Sequence, residues 1–422
     1  MARTGAMPLI RPALPDGPYL VVGLARSGIA AARMLRPHGE VLACDSGRPE
    51  LPDDLDAEVE SDGVGLLERA GVVVKSPGVP QEAPLIEAAR ARGVPVLGEL
   101  ELAWRLLPNR FVAVTGTNGK TTTVELLGAI WRAASFPVAV AGNVGTPLSA
   151  LVGEVEPDAT VICEVSSFQA EDSEAFAPDV GLLLNVEEDH LDRHGTFAAY
   201  REAKLGMFRS QTPDQVAIAP PGFHLPGRAR RETFGDPGEL PLPAADIRLR
   251  GAHNLENAMG ASAAALAAGV PAEAVAAALR DFAGVPHRLE EVGRSGGVLY
   301  VNDSKATNVA SARRGIEAFE GGVHAILGGS LKGGDFTGLR EPVRSRCRGC
   351  YLIGEAAEQL ERDLAETVPL RLCGDLEGAV DAAARSASPG DVVLLSPACA
   401  SFDQFRDYEE RGDRFRALVP RA

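Results

Sequence analysis

The chain has 422 residues, 45% of them hydrophobic and 24% charged, with 58 acidic against 42 basic side chains and a formal net charge of −16. That length holds several domains with real apolar cores, and the composition excludes a disordered or fibrous chain. Acidity of this degree repels nucleic-acid backbones and anionic lipid at long range, which argues against a role coating either and leaves local phosphate sites open.

Taken in chain order, residues 1–18 carry several prolines and no apolar run of signal-peptide length. No later stretch reaches the ~18 apolar residues needed to cross a bilayer, so a cytoplasmic protein without membrane insertion is expected. The runs YLVVGLA, SGIAAARML, EVLACD and GVVVKSPGV alternate strand-like and helix-like patterns. Such alternation predicts βαβ units on a parallel sheet. A second series starts at Arg110 with RFVAVTG, continues with a helix from about Thr121, and adds TVICEVSS and VGLLLNV. Residues 213–243, rich in Pro and Gly, predict loops or short strands, and the alanine-rich residues 254–279 predict two helices broken at Gly269, Val270 and Pro271. A third series runs through VLYVND, VHAILGG, CYLIG and PGDVVLLSP to a charged final helix. The expected fold is α/β, with three domains each built on a mostly parallel sheet. Boundaries near 98 and 284 give a Rossmann-like domain 1–98, a P-loop ATPase-like domain 99–284 and a Rossmann-like domain 285–422.

The six cysteines are scattered, which is thiol usage rather than a disulfide framework. Cys347 and Cys350 form the one CxxC, with no second pair and no neighbouring His to suggest zinc. Lysine is scarcer still: it occurs only at Lys75, Lys120, Lys204, Lys305 and Lys332. Arginine can supply surface charge but cannot become a neutral nucleophilic amine, accept CO₂ readily or act as a compact cation on phosphate. Lysines surviving such a bias are therefore enriched for chemistry. Lys75, at a strand end before SPG, is expected to be a solvated exception.

FVAVTGTNGKTTTVELL reads as strand, glycine turn and helix, with Gly116, Thr117, Asn118, Gly119, Lys120, Thr121 and Thr122 at the junction. That arrangement aims backbone N–H groups and a helix N-terminus at an anion, with Lys120 as cation and a Thr hydroxyl for Mg²⁺. It departs from the common Walker spacing, because Val114 stands where the first glycine would be. Downstream, Glu164 ends a strand-like run and His190 follows another. Ligands of an open parallel sheet sit beyond the carboxyl ends of its strands, so Thr121, Glu164 and His190 are expected to converge and offer oxygen and imidazole ligands to a divalent metal. GLARSG, from Gly23 to Gly28, with Asp45 after the next strand, is a dinucleotide-type fingerprint. An NAD-dependent oxidoreductase would leave the Gly116 to Thr122 loop unexplained.

The strings TGTNGKTT, EVSSFQ, NVEEDHLDRHG with YREAK, GAHNLENA, PHRLE, NDSKATN, LGGSLKGGDF and LLSPACASFDQF, in that order, resemble the Mur ligases of peptidoglycan synthesis. The resemblance covers nearly the whole chain. NDSKATN and SPACASFDQF resemble the branch that adds D-glutamate, whereas the phosphate loop is common to the superfamily. The resemblance implies an ATP-dependent ligase that joins D-glutamate to UDP-N-acetylmuramoyl-L-alanine through an acyl phosphate. A monomer with two Mg²⁺ sites is implied, with closure of the last domain before chemistry.

The resemblance also distributes roles. Lys120, His190, Lys204 and Lys332 would be catalytic, and Thr121, Glu164, His190 and Lys204, the last as a carbamate, would hold metal. The loop residues 116–122 with Asn254, Asn257, His287, Arg288 and Asp303 would bind ATP. Arg26, Ser27, Asp45, Ser46, Ser76, Pro77, Gly78, Asn143 and Ser166 would contact the UDP substrate, with Arg48 beside Ser46. Lys305, Thr307, Lys332, Ser401, Phe402 and Tyr408 would receive D-glutamate. A ligase with another acceptor, including a folylpolyglutamate synthase, is opposed by GLARSG and SPACASFDQF. A non-catalytic nucleotide-binding regulator would be expected to have lost Lys204 or His190.

Overall fold

The computed structural model describes residues 11–249, 251–331 and 335–420, and the chain divides into two compact units. The first runs to Ile247 and includes His253–Asp281; the second takes Arg248–Ala252 and the chain from Phe282.

The first unit carries two sheets. One is formed by β1 (Tyr19–Val22), β2 (Val41–Asp45), β3 (Glu58–Val59), β4 (Val72–Lys75) and β5 (Val96–Gly98), in the order β3-β2-β1-β4-β5 with every pair parallel. Helix α1 (Arg26–Leu35) connects β1 to β2, α2 (Pro84–Ala91) precedes β5, and α3 (Glu99–Leu106) leads out of the sheet. All four residues of β1 and of β4 are buried, as strands covered on both faces require.

The other sheet contains β6 (Arg110–Thr115), β7 (Val138–Gly142), β8 (Thr160–Glu164), β9 (Val180–Leu183), β10 (Val216–Ala219) and β11 (Arg230–Thr233). Its order is β11-β10-β9-β6-β8-β7, again all parallel. Helix α4 (Lys120–Ala133) follows β6; α5 (Ser167–Glu171), α6 (Leu191–His194) and α7 (Phe197–Leu205) follow later strands. Helices α8 (Ala252–Ala267) and α9 (Ala272–Asp281) are separated at Gly269 to Pro271, as the alanine-rich pattern predicts. Strands β10 and β11 are the short strands of the Pro/Gly-rich stretch. One buried cluster joins Val21 and Val74 to Phe111 and Val161 through Leu100 and Trp104, so the first two sheets share a core. Trp104 and Phe111 both meet the edge of Phe176, at 5.7 and 6.2 Å between ring centroids.

The second unit holds β12 (Glu290–Ser295), β13 (Val298–Asn302), β14 (Val323–Gly328), β15 (Cys347–Ile353), β16 (Leu370–Gly374) and β17 (Val392–Leu395), in the order β12-β13-β17-β14-β15-β16. Among the described strand pairs of this sheet, only the β12–β13 hairpin is antiparallel. Its helices are α10 (Val309–Glu317), α11 (Arg340–Arg346), α12 (Ala357–Asp363), α13 (Leu376–Ser386) and α14 (Tyr408–Leu418). Cys347 and Cys350 lie in β15, where contact between the two thiols and burial push Cys350 well above the usual thiol range. A thiolate is what metal binding or exchange requires, and it is disfavoured there. Among the described residues no helix is long and apolar enough to cross a membrane, and no cluster of three or more His, Cys, Asp or Glu is placed to hold a metal.

One expectation fails. Lys75 is not a solvated strand end: it is 1% exposed, and its Nζ lies 2.6 Å from Asp172 Oδ2. Asp172 caps the C-terminus of α5 and also accepts Gln81 Nε2 at 2.8 Å. The α5 segment covers the strand end, so the ammonium is shielded from water and neutralised by a carboxylate.

Candidate active site

The glycine turn follows β6, which delivers it to the carboxyl edge of the second sheet. Gly119 has φ +83°, and a Cβ there would overlap the side-chain oxygen of Asn257. Glycine is needed both for the left-handed backbone and for the approach of α8. Asn257 donates to Asn254 Oδ1 at 3.2 Å, which brings both asparagines beside the turn. The turn is braced from β9's loop: Asn118 N donates to Asn185 Oδ1 at 2.9 Å and Thr117 N to Asn185 O at 3.1 Å.

Two ammonium groups converge on one carbonyl. Lys120 Nζ donates to Gly116 O at 2.8 Å and to Thr117 O at 3.1 Å, and Lys204 Nζ donates to Gly116 O at 2.7 Å. Lys204 comes from the last turn of α7, is 1% exposed, and lies 4.5 Å from the centre of the Tyr200 ring. Burial, followed by repulsion from Lys120, lowers its pKa to about 7. Tyr200 in turn donates to Thr117 Oγ1 at 3.1 Å.

Glu164, 2% exposed at the end of β8, accepts Thr121 Oγ1 at 2.9 Å and Asn143 Nδ2 at 3.0 Å. The predicted convergence of Thr121 and Glu164 is therefore direct. The two donors that Glu164 accepts are neutral groups, so a cation there would compensate a buried charge. His190 has φ +50°, keeps its imidazole near Asp189 (Nε2 to Oδ2 3.6 Å), and sits 5.0 Å from the Phe168 ring and 6.1 Å from that of Tyr200. Thr122 is buried in the first turn of α4. Ser166 caps α5 in a reciprocal box with Gln169, so its hydroxyl shapes the helix start.

In the first sheet, a Cβ at Gly28 would overlap Gly23 O, and Ser76 Oγ donates to that same carbonyl at 2.5 Å. Asp45 accepts Leu24 N at 2.6 Å and Gly47 N at 2.8 Å, bracing the turn before α1. Arg26 and Ser27 occupy the first turn of α1, and Ser46 follows Asp45. Arg48 forms an exposed pair with Glu60 at 2.7 Å. Pro77 is partly exposed and Gly78 exposed on the loop after β4.

The second unit gathers its own group. His287, at φ +60°, lies 3.0 Å from Asn302 Nδ2 through Nδ1, and its carbonyl accepts Lys305 N at 3.0 Å. Tyr408 faces both: its ring is 6.1 Å from that of His287 and 5.7 Å from Lys305 Nζ. Asp303 accepts Ser396 Oγ at 2.7 Å and Leu289 N at 3.2 Å, next to Arg288. Burial raises its carboxyl to about 7, outweighing that hydrogen bond and the field of Arg288. Thr307 N bonds Lys305 O at 2.9 Å, Ser401 is buried, and Phe402 is 65% exposed. Lys332 lies outside the described residues.

Several participants escape a reading by motif. Arg411 of α14 is fully buried, donating to Ser304 Oγ (2.9 Å), Ser304 O (2.8 Å) and the carbonyls of Cys399 and Ala400, so it ties the segments NDSKATN and SPACASFDQF together. Burial lowers its pKa to about 10. Nothing in the charged last helix marks it out among its many arginines. Tyr200 and Asn185 stand inside quoted motifs, YREAK and NVEEDH, where the adjacent Lys and His carry the obvious chemistry.

Models of the Mur ligase middle domain and of the Mur ligase glutamate ligase domain match residues 114–223 and 287–399. The chain is 45% identical over 439 residues to the UDP-N-acetylmuramoylalanine–D-glutamate ligase of Acidobacterium capsulatum, covering 95% of each chain. It is 42% identical over 430 residues to the protein of that name from Solibacter usitatus, covering 95% of this chain and 97% of the relative. Among solved structures, the fold is similar to that of the MurF ligase of Thermotoga maritima in complex with ADP, with TM-score 0.58, 18% identity and coverage of 96% and 94%. It is also similar to UDP-N-acetylmuramate-alanine ligase from the same organism, with TM-score 0.56, 18% identity and coverage of 94% and 98%. The long chain-wide identities, two matched domain models and a braced phosphate turn agree: this chain belongs to the Mur ligase family.

Proposed function

We propose that the chain is an ATP-dependent ligase that adds D-glutamate to UDP-N-acetylmuramoyl-L-alanine in peptidoglycan precursor synthesis, releasing ADP and phosphate. The observation that carries this reading is the meeting of Lys120 and Lys204 on the Gly116 carbonyl beside the Thr121–Glu164 pair, in a chain whose relatives above 40% identity bear that name.

Backbone N–H groups of residues 116–119 and the start of α4 receive the phosphates, with Lys120 as their compact cation and Asn254 and Asn257 flanking. Ligases of this family use ATP with Mg²⁺, which when bound supplies positive charge to the phosphoryl oxygens. Thr121 and Glu164 would hold one ion, and His190 with Lys204 a second. The donor set fits, since a buried carboxylate held by two neutral donors is a place for a hard dication. Lys204 would serve there as a carbamate, formed when its neutral amine adds to CO₂ with loss of one proton. Its burial favours the neutral amine, and Lys120 would compensate the anion that results.

The substrate carboxylate displaces ADP from the γ-phosphorus to give an acyl phosphate, and the amine of D-glutamate then displaces phosphate from the carbonyl carbon. Lys120 and Lys332 offset charge on the transferring phosphoryl oxygens. Arg26, Ser27, Asp45, Ser46 and residues 76–78 hold the UDP portion, and Asn143 and Ser166 the muramoyl end. His287, Arg288 and Asp303 complete the ATP contacts. Lys305, Thr307, Lys332, Ser401, Phe402 and Tyr408 receive D-glutamate. This reading assigns the three domains 1–98, 99–284 and 285–422 to UDP substrate, ATP and amino acid, in a cytoplasmic monomer.

Phosphate release from ATP with UDP-N-acetylmuramoyl-L-alanine should require D-glutamate. Equal turnover with L-alanine or meso-diaminopimelate would overturn the acceptor, and no turnover with any amino acid would overturn the ligase reading.

A further inference from the structure

Arg193, Lys75 and Asp172 have no task in that mechanism, yet they meet around one loop. Residues 76–79 leave β4 and close with Val79 N donating to Ser76 O at 3.0 Å. Arg193 of α6 donates to three consecutive carbonyls of this loop: Pro77 O at 3.5 Å, Gly78 O at 3.2 Å and Val79 O at 3.1 Å. The same guanidinium lies 4.7 Å from the centre of the Phe168 ring on α5. At the other end of α5, Asp172 grips Lys75, the residue immediately before the loop, and accepts Gln81 just after it. Two cationic side chains thus bind the loop to both ends of one short helix.

We infer that Arg193 is a positioning residue which, with the Lys75–Asp172 pair, clamps loop 76–79 against α5 and α6. It thereby sets where the sugar-nucleotide acid lies relative to the segment carrying His190. The inference rests on reading residues 76–78 as part of the UDP-substrate site. A planar guanidinium can span several carbonyls while stacking on an aromatic face; an ammonium offers neither the fork nor the plane. Saturating these carbonyls orients the peptide planes of the loop, which keeps open space at its tip, since a Cβ at Gly78 would meet nothing within 4 Å. Arg193 lies three residues beyond His190, so a shift of the loop and a shift of that imidazole are mechanically linked.

The test uses the full chain. In hydrogen exchange without ligands, Arg193→Met should speed the amide of Val79, the hydrogen-bonded N–H of the loop, about tenfold, the equivalent of one to two lost hydrogen bonds, and leave β1 and β4 unchanged. In steady-state assays the same variant should raise KM for UDP-N-acetylmuramoyl-L-alanine about tenfold. KM for ATP and for D-glutamate should stay within about twofold. Arg193→Lys should rescue neither readout. Unchanged exchange in the loop, an equal rise in all three KM values, or full rescue by lysine would overturn the clamp. Absence of turnover in the unmodified enzyme would instead remove the ligase reading, and the exchange comparison would still decide whether Arg193 holds the loop.

Discussion

Lys75 ends β4, and Lys204 sits in the last turn of α7; each is 1% exposed, and their surroundings differ in kind. Lys75 meets a carboxylate at 2.6 Å. Lys204 meets a carbonyl, the face of Tyr200 and, through the shared Gly116 oxygen, a second ammonium. Burying an ammonium is costly, and a counter-ion is what holds the charge in place. Where the counter-ion is supplied the lysine becomes a strut. Where it is withheld the pKa falls to about 7, and the amine remains available for chemistry.

The largest expected effect breaks the strut. Lys75→Met strands Asp172, a carboxyl that burial already pushes above its ordinary range despite the lysine, and should cost about 3–5 kcal/mol in urea unfolding. The double variant Lys75→Met/Asp172→Leu should regain most of that loss. A cost near zero for the single variant would erase the distinction between the two lysines.

Next comes the other lysine. Lys204→Arg keeps a cation but forbids the carbamate, and phosphate release should fall about 10²–10³-fold, as for loss of one transition-state stabilising group. Added bicarbonate should stimulate the unmodified enzyme and not the variant. Full activity in Lys204→Arg would take the carbamate out of the mechanism and leave Lys204 a strut like Lys75.

Gly119→Ala sharpens the comparison by moving the turn on which Lys204 bonds. With φ +83° and Asn257 against it, alanine should cost about 1–2 kcal/mol by thermal or urea unfolding. An unchanged stability would mean that α8 does not press on the turn.

The smallest effect is a change of slope, seen at the acidic counterpart of Lys204. Burial raises Asp303 to about 7, so the folded chain keeps a proton that the unfolded chain releases near 3.8. The stability from this group is fully present below the unfolded value and is lost as pH rises through about 7. Asp303→Asn should flatten that decline in a Tm series across the interval. A parallel series in both proteins would assign the slope to other groups.

How much of this was legible depends on distance along the chain. Gly116 to Thr122 could be read because strand, turn and helix are contiguous and each residue type has one reason to be there. Thr121 and Glu164, 43 positions apart, could be paired by the rule that ligands gather at strand ends. Lys75 and Asp172 are 97 apart and carry no pattern: one looks like a solvated strand end, the other like an ordinary acid. Arg411 is hidden more thoroughly, because a polar helix conceals one fully buried guanidinium that binds a segment 107 residues upstream. Strand β7, an edge strand of valines, alanines and a final glycine, lacks large side chains such as Phe111 in β6 or Leu182 and Leu183 in β9 that announced those strands.

The sequence by itself determined the α/β architecture, the phosphate turn and the scarcity of lysine, because local periodicity, glycine backbone freedom and amine chemistry act on neighbouring residues. Tertiary structure alone decided which buried lysine received a counter-ion and which received a second cation. That choice depends on segments far apart in the chain closing around each amine and excluding water, and no local spacing encodes the dielectric that results.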